Sequence, residues 1–92
     1  LKYIRKGSVS NVHKVKKGMA EAIEITVDES SGKLIGQNIS ELGLDENINI
    51  PAIKRDESVL MAHGSTQILE NDHLIVFYKN KDVIDTFYER FK

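Results

Sequence analysis

The sequence predicts an α+β domain: a small, mostly antiparallel sheet with two short helices, in the order β-α-β-β-β-β-α. Three observations lead there. Apolar residues, most of them β-branched, recur at every second position in two separate stretches, Ala20–Val27 and Ile48–Ala52. An unbroken apolar run, Leu74-Ile75-Val76-Phe77-Tyr78, is bounded by turn residues. The C-terminal residues place Val83, Ile84, Phe87, Tyr88 and Phe91 on one helical stripe.

The elements follow in order. Residues 1–18 read as a tail and linker. Leu1 to Lys6 before Gly7 has the pattern of a last helical turn and its glycine cap. Val9, Val12 and Val15 then recur every third residue, which fits neither the helical nor the strand period. The compact domain is expected over residues 19–92. Ile23, Ile25 and Val27 alternate with Glu24 and Thr26 as a half-buried strand, ended by Asp28-Glu29-Ser30-Ser31-Gly32. Ile35, Ile39 and Leu42 at i, i+4 and i+7 predict a helix that Gly43 terminates.

Ile48, Ile50 and Ala52 alternate as the next strand, and Pro51 within it demands an edge position or a bulge. Arg55-Asp56-Glu57-Ser58 is a tight turn into Val59–Ala62. Gln67–Leu69 reads as a short strand after the turn His63–Thr66. The continuous run from His73 to Lys79 predicts a strand buried on both faces. Asn80 is a good N-cap for the last helix, with Asp82 in its first turn.

Composition narrows the function classes. The 92 residues make one domain with a thin core, and there is no cysteine to form a disulfide or a thiolate zinc site. No apolar run reaches the roughly 18 residues of a membrane span, and the start has no signal-peptide core. A cytoplasmic location is expected. Leu1 in place of an initiator Met suggests a piece of a longer protein. The first seventeen residues carry Lys2, Arg5, Lys6, Lys14, Lys16 and Lys17 and no acid, while the rest is net acidic. Such an arm can attract phosphates, but it is read here as a solvated connection. A single aromatic residue, Tyr3, lies among its basic residues, too few for a base-stacking platform, so no nucleic-acid partner is expected.

Catalytic motifs are missing. His13, His63 and His73 have no metal-ligand spacing, and Asp28-Glu29, Asp45-Glu46 and Asp56-Glu57 all fall in predicted turns. Ser65 lacks a nucleophile elbow, and the six glycines never form a phosphate-binding loop. The expectation is a domain that is not an enzyme, with no catalytic, cofactor or metal site of its own.

From Ala20 onward the chain resembles the TrkA C-terminal (RCK C-terminal) domain family. The likeness rests on Ala20–Val27, on Leu34-Ile35-Gly36-Gln37-Asn38-Ile39-Ser40-Glu41-Leu42-Gly43-Leu44, on Ile48–Arg55, and on Gln67-Ile68-Leu69-Glu70-Asn71-Asp72 with the strand to Phe77. The resemblance implies a cytoplasmic regulatory domain of a Trk-type potassium uptake protein, peripheral to a membrane-embedded potassium transporter subunit. It implies a homodimer, with a small-molecule ligand held between subunits in some members. It also implies an upstream nucleotide-binding Rossmann domain that would bind NAD or an adenine nucleotide.

In certain relatives the ligand is cyclic di-AMP, and a cyclic dinucleotide sensor is the alternative function. Asn49-Ile50 matches part of that pattern, while Leu44–Asn47 supplies no arginine and Pro51 replaces the second aliphatic. Two further departures concern turns. Asp56-Glu57 stands where the family has two glycines and predicts a type I turn; Asn71 stands for a glycine and predicts a left-handed residue. An apolar sheet edge at Ile48, Ile50 and Pro51 is the expected dimer contact. The candidate dimer and ligand interface is therefore Leu44, Ile48, Asn49, Ile50 and Pro51.

Overall fold

The computed structural model describes residues 8–17 and 20–91, with the side chains of residues 21–91. The backbone forms β1 (Ser8–Lys17), β2 (Ala20–Thr26), β3 (Ile48–Arg55), β4 (Ser58–Met61), β5 (His73–Tyr78) and one α-helix, α1 (Lys81–Phe91). The strands make one sheet in the order β1-β2-β5-β3-β4, with every neighbouring pair antiparallel. The α+β class and the antiparallel sheet are as expected. The element order is not.

The first difference is β1. The segment 8–17 was expected to be part of a linker, and its backbone pairs with β2 instead. The period-three valines explain both the expectation and the outcome. Register shifts interrupt the ladder between Val9 and Asn11 and again between His13 and Lys17. The first shift sets Val9 opposite Ile25 and Val12 opposite Ile23, so a pattern that fits no regular strand fits a bulged one. The reading of residues 1–7 as a helix end lies outside the described residues.

The second difference is the helix expected over Ile35–Leu42. Only its second half is helical, as a 3-10 segment at Ile39–Leu42, and a first 3-10 segment, Glu29–Leu34, precedes it. Gly36 takes a φ of +89° and Asn38 is extended, so the chain turns between them. The backbone groups that an α-helix would pair internally are spent on residues 64–68: Gly36 N–H donates to the Ile68 carbonyl at 2.7 Å, Ile39 N–H to Thr66 at 3.0 Å and Ser40 N–H to Gly64 at 2.9 Å. Gln67, expected in a strand, keeps a single bridge to Asn38 from this arrangement. Leu34 takes the core position, and Ile35 is left exposed. Gly43 does end the second segment in the left-handed conformation.

The core lies on one face of the sheet. Ile23 and Ile25 of β2 stand opposite Val76 and Leu74 of β5, and Leu74 also faces Ile53 of β3. Val27, Leu34, Leu42, Ile68 and the α1 residues Ile84, Phe87 and Phe91 cover them. Asn80 caps α1 as expected, accepting from Val83 N–H at 2.9 Å. β3 needs a correction. It lies between β5 and β4 rather than at an edge, and the bulge allowed for at Pro51 is present between Asn49 and Ala52. That extra residue shifts the alternation by one, and it is why Ile48, Ile50 and Ile53 can all be buried. In β5, Leu74 and Val76 are fully buried while Ile75 and Phe77 are half-buried, so burial on both faces is incomplete.

The β3–β4 turn also departs from expectation. Arg55 pairs with Ser58 across a two-residue loop in which Asp56 has a φ of +56°. A positive φ at the first central residue belongs to the mirror-image turns that match strand twist, not to type I. Asn71, at a φ of +75°, is left-handed as expected. Because Asp56 is exposed and strained, Asp56→Gly is expected to stabilise the protein by about 0.5–1 kcal/mol, and Asp56→Val to destabilise it. Urea unfolding of the two variants would show a shift in opposite directions; equal shifts would be incompatible with the turn.

Arg55 at the end of β3 locks the β5 side of the sheet. Its Nε donates to Asp72 Oδ1 at 2.8 Å and its Nη2 to Asp72 Oδ2 at 2.8 Å and to the Gln67 carbonyl at 2.8 Å. Asp72 Oδ2 also accepts from Leu69 N–H at 2.9 Å, and this residue is 1% exposed. No α-helix of the described residues is long and apolar enough to cross a membrane.

Candidate functional site

The five candidate interface residues do not form one patch. Ile48 and Ile50 are buried core residues, at 6% and 4% exposure, because alternation sets both on the face that carries the core. The apolar edge expected from them is therefore absent. Asn49 points to the opposite face of the sheet, is exposed, and stands across from Phe77. Pro51 is partly buried at the bulge, and its carbonyl accepts from Ala62 N–H at 2.9 Å. Leu44 alone joins Ile48, and the two line a cleft.

That cleft lies between α1 and the loop entering β3. Its lining is Leu44, Asp45, Ile48, Asp82, Val83, Thr86, Phe87 and Arg90, around a volume of about 160 Å³. The loop is held by Asp45, whose Oδ1 accepts from Asn47 N–H at 2.7 Å and whose carbonyl accepts from Ile48 N–H at 3.1 Å. Arg90 closes the far wall. Its Nη2 donates to the Leu42 carbonyl at 2.6 Å, its Nη1 to Gly43 at 3.4 Å, and its guanidinium lies 4.7 Å from the Phe91 ring centroid. The one cation among the described lining residues is thus engaged with the end of the second 3-10 segment, and the rim carries two carboxylates. An apolar floor with an acidic rim suits an apolar or cationic group better than an anion.

The other face of the sheet carries residues that sequence reasoning did not select. Across the strands run Ala22–Phe77–Asn49, then Glu24–Ile75–Ala52–Met61, then Thr26–His73–Lys54–Val59. Glu24 is 5% exposed, with its Oε2 3.2 Å from His73 Nδ1 and 3.8 Å from Lys54 Nζ. Thr26 Oγ1 lies 3.1 Å from the same His73 nitrogen. Alternation alone marks Glu24 as the polar position of β2; its neighbours come from strands 30 and more residues away and left no local signal. His63 is exposed at its turn, and His13 lies outside the described side chains. Among the described residues no group of three His, Asp or Glu side chains is arranged to hold a metal ion.

The family model and the curated relatives agree on one family. The TrkA-C domain matches residues 22–92. The chain is 38% identical over 86 residues to the Trk system potassium uptake protein TrkA of Vibrio alginolyticus, covering 91% of this chain and 19% of that protein. It is 36% identical over 83 residues to the protein of the same description from Halomonas elongata, covering 88% and 18%. The chain therefore spans about a fifth of the length of these relatives. Among solved structures, one described as "Structure of RCK domain with cda" superposes with a TM-score of 0.60 at 22% identity, covering 77% of this chain and 97% of that one. The S. agalactiae BusR in complex with its busAB-promotor DNA also superposes at 0.60, with 25% identity over 82% of this chain and 38% of that one.

Proposed function

Because the chain belongs to the TrkA-C domain family, we propose that it is the regulatory lobe of a Trk-type potassium uptake protein, acting from the cytoplasmic side on a membrane-embedded transporter. The observation that carries this reading is the family match over residues 22–92, joined to 38% identity with a potassium uptake protein across nearly the whole chain. In this reading the domain transforms no substrate. It works as a homodimer whose geometry a ligand shifts, and the ligand acts only through its different affinity for the two geometries.

The cleft supports an effector site shared between copies. A volume of about 160 Å³ in one copy is below the roughly 300–1,000 Å³ of small-molecule sites, so a second copy would have to supply further walls. Asp45 and Asp82 at the rim weigh against a doubly anionic ligand such as a cyclic dinucleotide there. Calorimetry with cyclic di-AMP is accordingly expected to show no heat at micromolar concentration; saturable binding would favour the sensor reading instead.

The regulatory reading is tested by exchange. Residues 20–92 replace the corresponding stretch of the Vibrio relative, and rubidium uptake is measured in a host lacking that relative. Uptake well above that of a deletion of the stretch is expected. Uptake equal to the deletion would reject the reading.

A further inference from the structure

β4 is a sheet edge without the usual protections. Edge strands commonly carry a lysine, a proline or a bulge that prevents further pairing. Ser58-Val59-Leu60-Met61 has none of these, and among the described residues no strand lies beyond it. Val59 and Met61 are 63% and 68% exposed, the two most exposed large apolar side chains among those residues.

The hairpin determines which backbone groups are available. Arg55 and Ser58 close the two-residue loop, Ile53 pairs with Leu60, and Ala62 N–H bonds to the Pro51 carbonyl. In an antiparallel ladder the bonded residues alternate. Ser58, Leu60 and Ala62 therefore turn their N–H and C=O groups toward β3, while Val59 and Met61 turn theirs outward. The two residues with outward backbone groups are the same two with exposed apolar side chains.

We propose that β4 pairs antiparallel with β4 of a second copy about a twofold axis at Leu60, joining the two sheets into one. This rests on the homodimer reading above and places its contact surface away from the residues first expected to form it. Symmetry limits the register. Opposed residues of an antiparallel pair point to the same face, so each position meets one of the same parity. Centring the axis on Leu60 sets Val59 opposite Met61 of the second copy, twice, and both residues present outward hydrogen-bonding groups. It also sets Ser58 opposite Ala62, and Glu57 opposite His63. The exposed carboxylate of Glu57 then faces the imidazole N–H of His63 from the other copy, again twice. Centring on Val59 would instead set Glu57 against Met61, a carboxylate against a thioether. Charge and hydrogen bonding thus select the Leu60 axis.

Sedimentation velocity at about 100 μM, above typical specific dissociation constants, is expected to show a dimer. Val59→Pro removes one outward donor and leaves the hairpin's own bonds intact, and Met61→Lys charges the exposed face. Each is expected to weaken the dimer about tenfold or more, with an unchanged circular dichroism spectrum. Val59→Glu with Met61→Lys in one chain sets glutamate opposite lysine twice and is expected to restore it.

A dimer indifferent to both single substitutions would overturn the β4 edge while leaving the homodimer reading in place. A wild-type monomer would overturn both. Dissociation by the single variants without restoration by the double would overturn the register. Independently of variants, the amides of Val59 and Met61 should exchange slowly with solvent at high concentration and fast on dilution. Fast exchange throughout would also exclude the edge.

Discussion

Arg55→Ala is expected to cost about 3–5 kcal/mol of folding stability, as removal of one partner from a buried ion pair does. The residue left behind decides the size. Asp72 is 1% exposed, and its two oxygens receive both parallel bonds from Arg55, with Leu69 N–H as the remaining donor. Without the guanidinium, a carboxylate stays buried with one backbone bond. The Gln67 carbonyl loses its donor as well, so the segment 67–72, which lacks a ladder of its own, loosens from β3. Arg55→Lys should fall between, since an ammonium cannot reproduce the paired geometry.

In a domain of this length each kcal/mol is worth about 4–8 °C, so Arg55→Ala should lower the Tm by at least about 12 °C. The hydrogen bonds to Asp72 hold the Arg55 guanidinium above its ordinary pKa, outweighing the opposing effect of burial. A raised folded value means that this contribution is complete below the unfolded arginine pKa and is lost only as pH rises through the folded one. The difference between wild type and Arg55→Ala should therefore stay level as pH rises from about 7 to 9. A loss under about 1 kcal/mol in urea unfolding would show that the pair is hydrated and structurally idle.

Phe87→Ala should have a similar cost, about 3–5 kcal/mol, for a different reason. Phe87 is 4% exposed, and its ring packs 5.1 Å from Phe91 and edge-on to Tyr88 at 6.5 Å. It forms the inner wall of the cleft beside Ile48 and Leu44 and fastens α1 to the sheet. An isolated helix of 11 residues is marginal in water, so α1 persists only by burying this face. Its removal should release α1 before the sheet unfolds, seen as a partial loss of helical circular dichroism at temperatures where the strands persist. Phe87→Leu, which refills most of the volume, should cost far less. A single cooperative transition with unchanged midpoint for Phe87→Ala would show that α1 is anchored elsewhere.

Both substitutions would also perturb the proposed regulation, through different elements. Arg55 supports the β3–β4 hairpin that carries the proposed dimer edge, and Phe87 shapes the cleft. Loss of dimer in Arg55→Ala under conditions where the monomer remains folded would tie hairpin geometry to assembly.

The elements legible from residues alone are those whose periodicity is met by a single surface. In α1, the spacing of Ile84, Phe87 and Phe91 and the cap at Asn80 were sufficient, because one stripe faces one sheet. Alternation placed β2 for the same reason, and the unbroken run placed β5, although its burial on both faces is incomplete. Left-handed backbone follows residue type at Gly43 and Asn71, which tolerate it, whereas at Asp56 strand twist imposes it.

What the sequence determined by itself was the class, an antiparallel sheet covered by a C-terminal amphipathic helix, together with the family signature. Those depend on short-range pattern, which survives in any arrangement that buries the same stripes. Tertiary structure alone decided that Ile35–Leu42 is not an α-helix, that residues 8–17 form a strand, and that Ile48 and Ile50 lie inside rather than at an edge. In each case backbone hydrogen bonds to a segment distant in sequence, or one extra residue at a bulge, outweighed the local preference. Such choices depend on partners that no window along the chain contains.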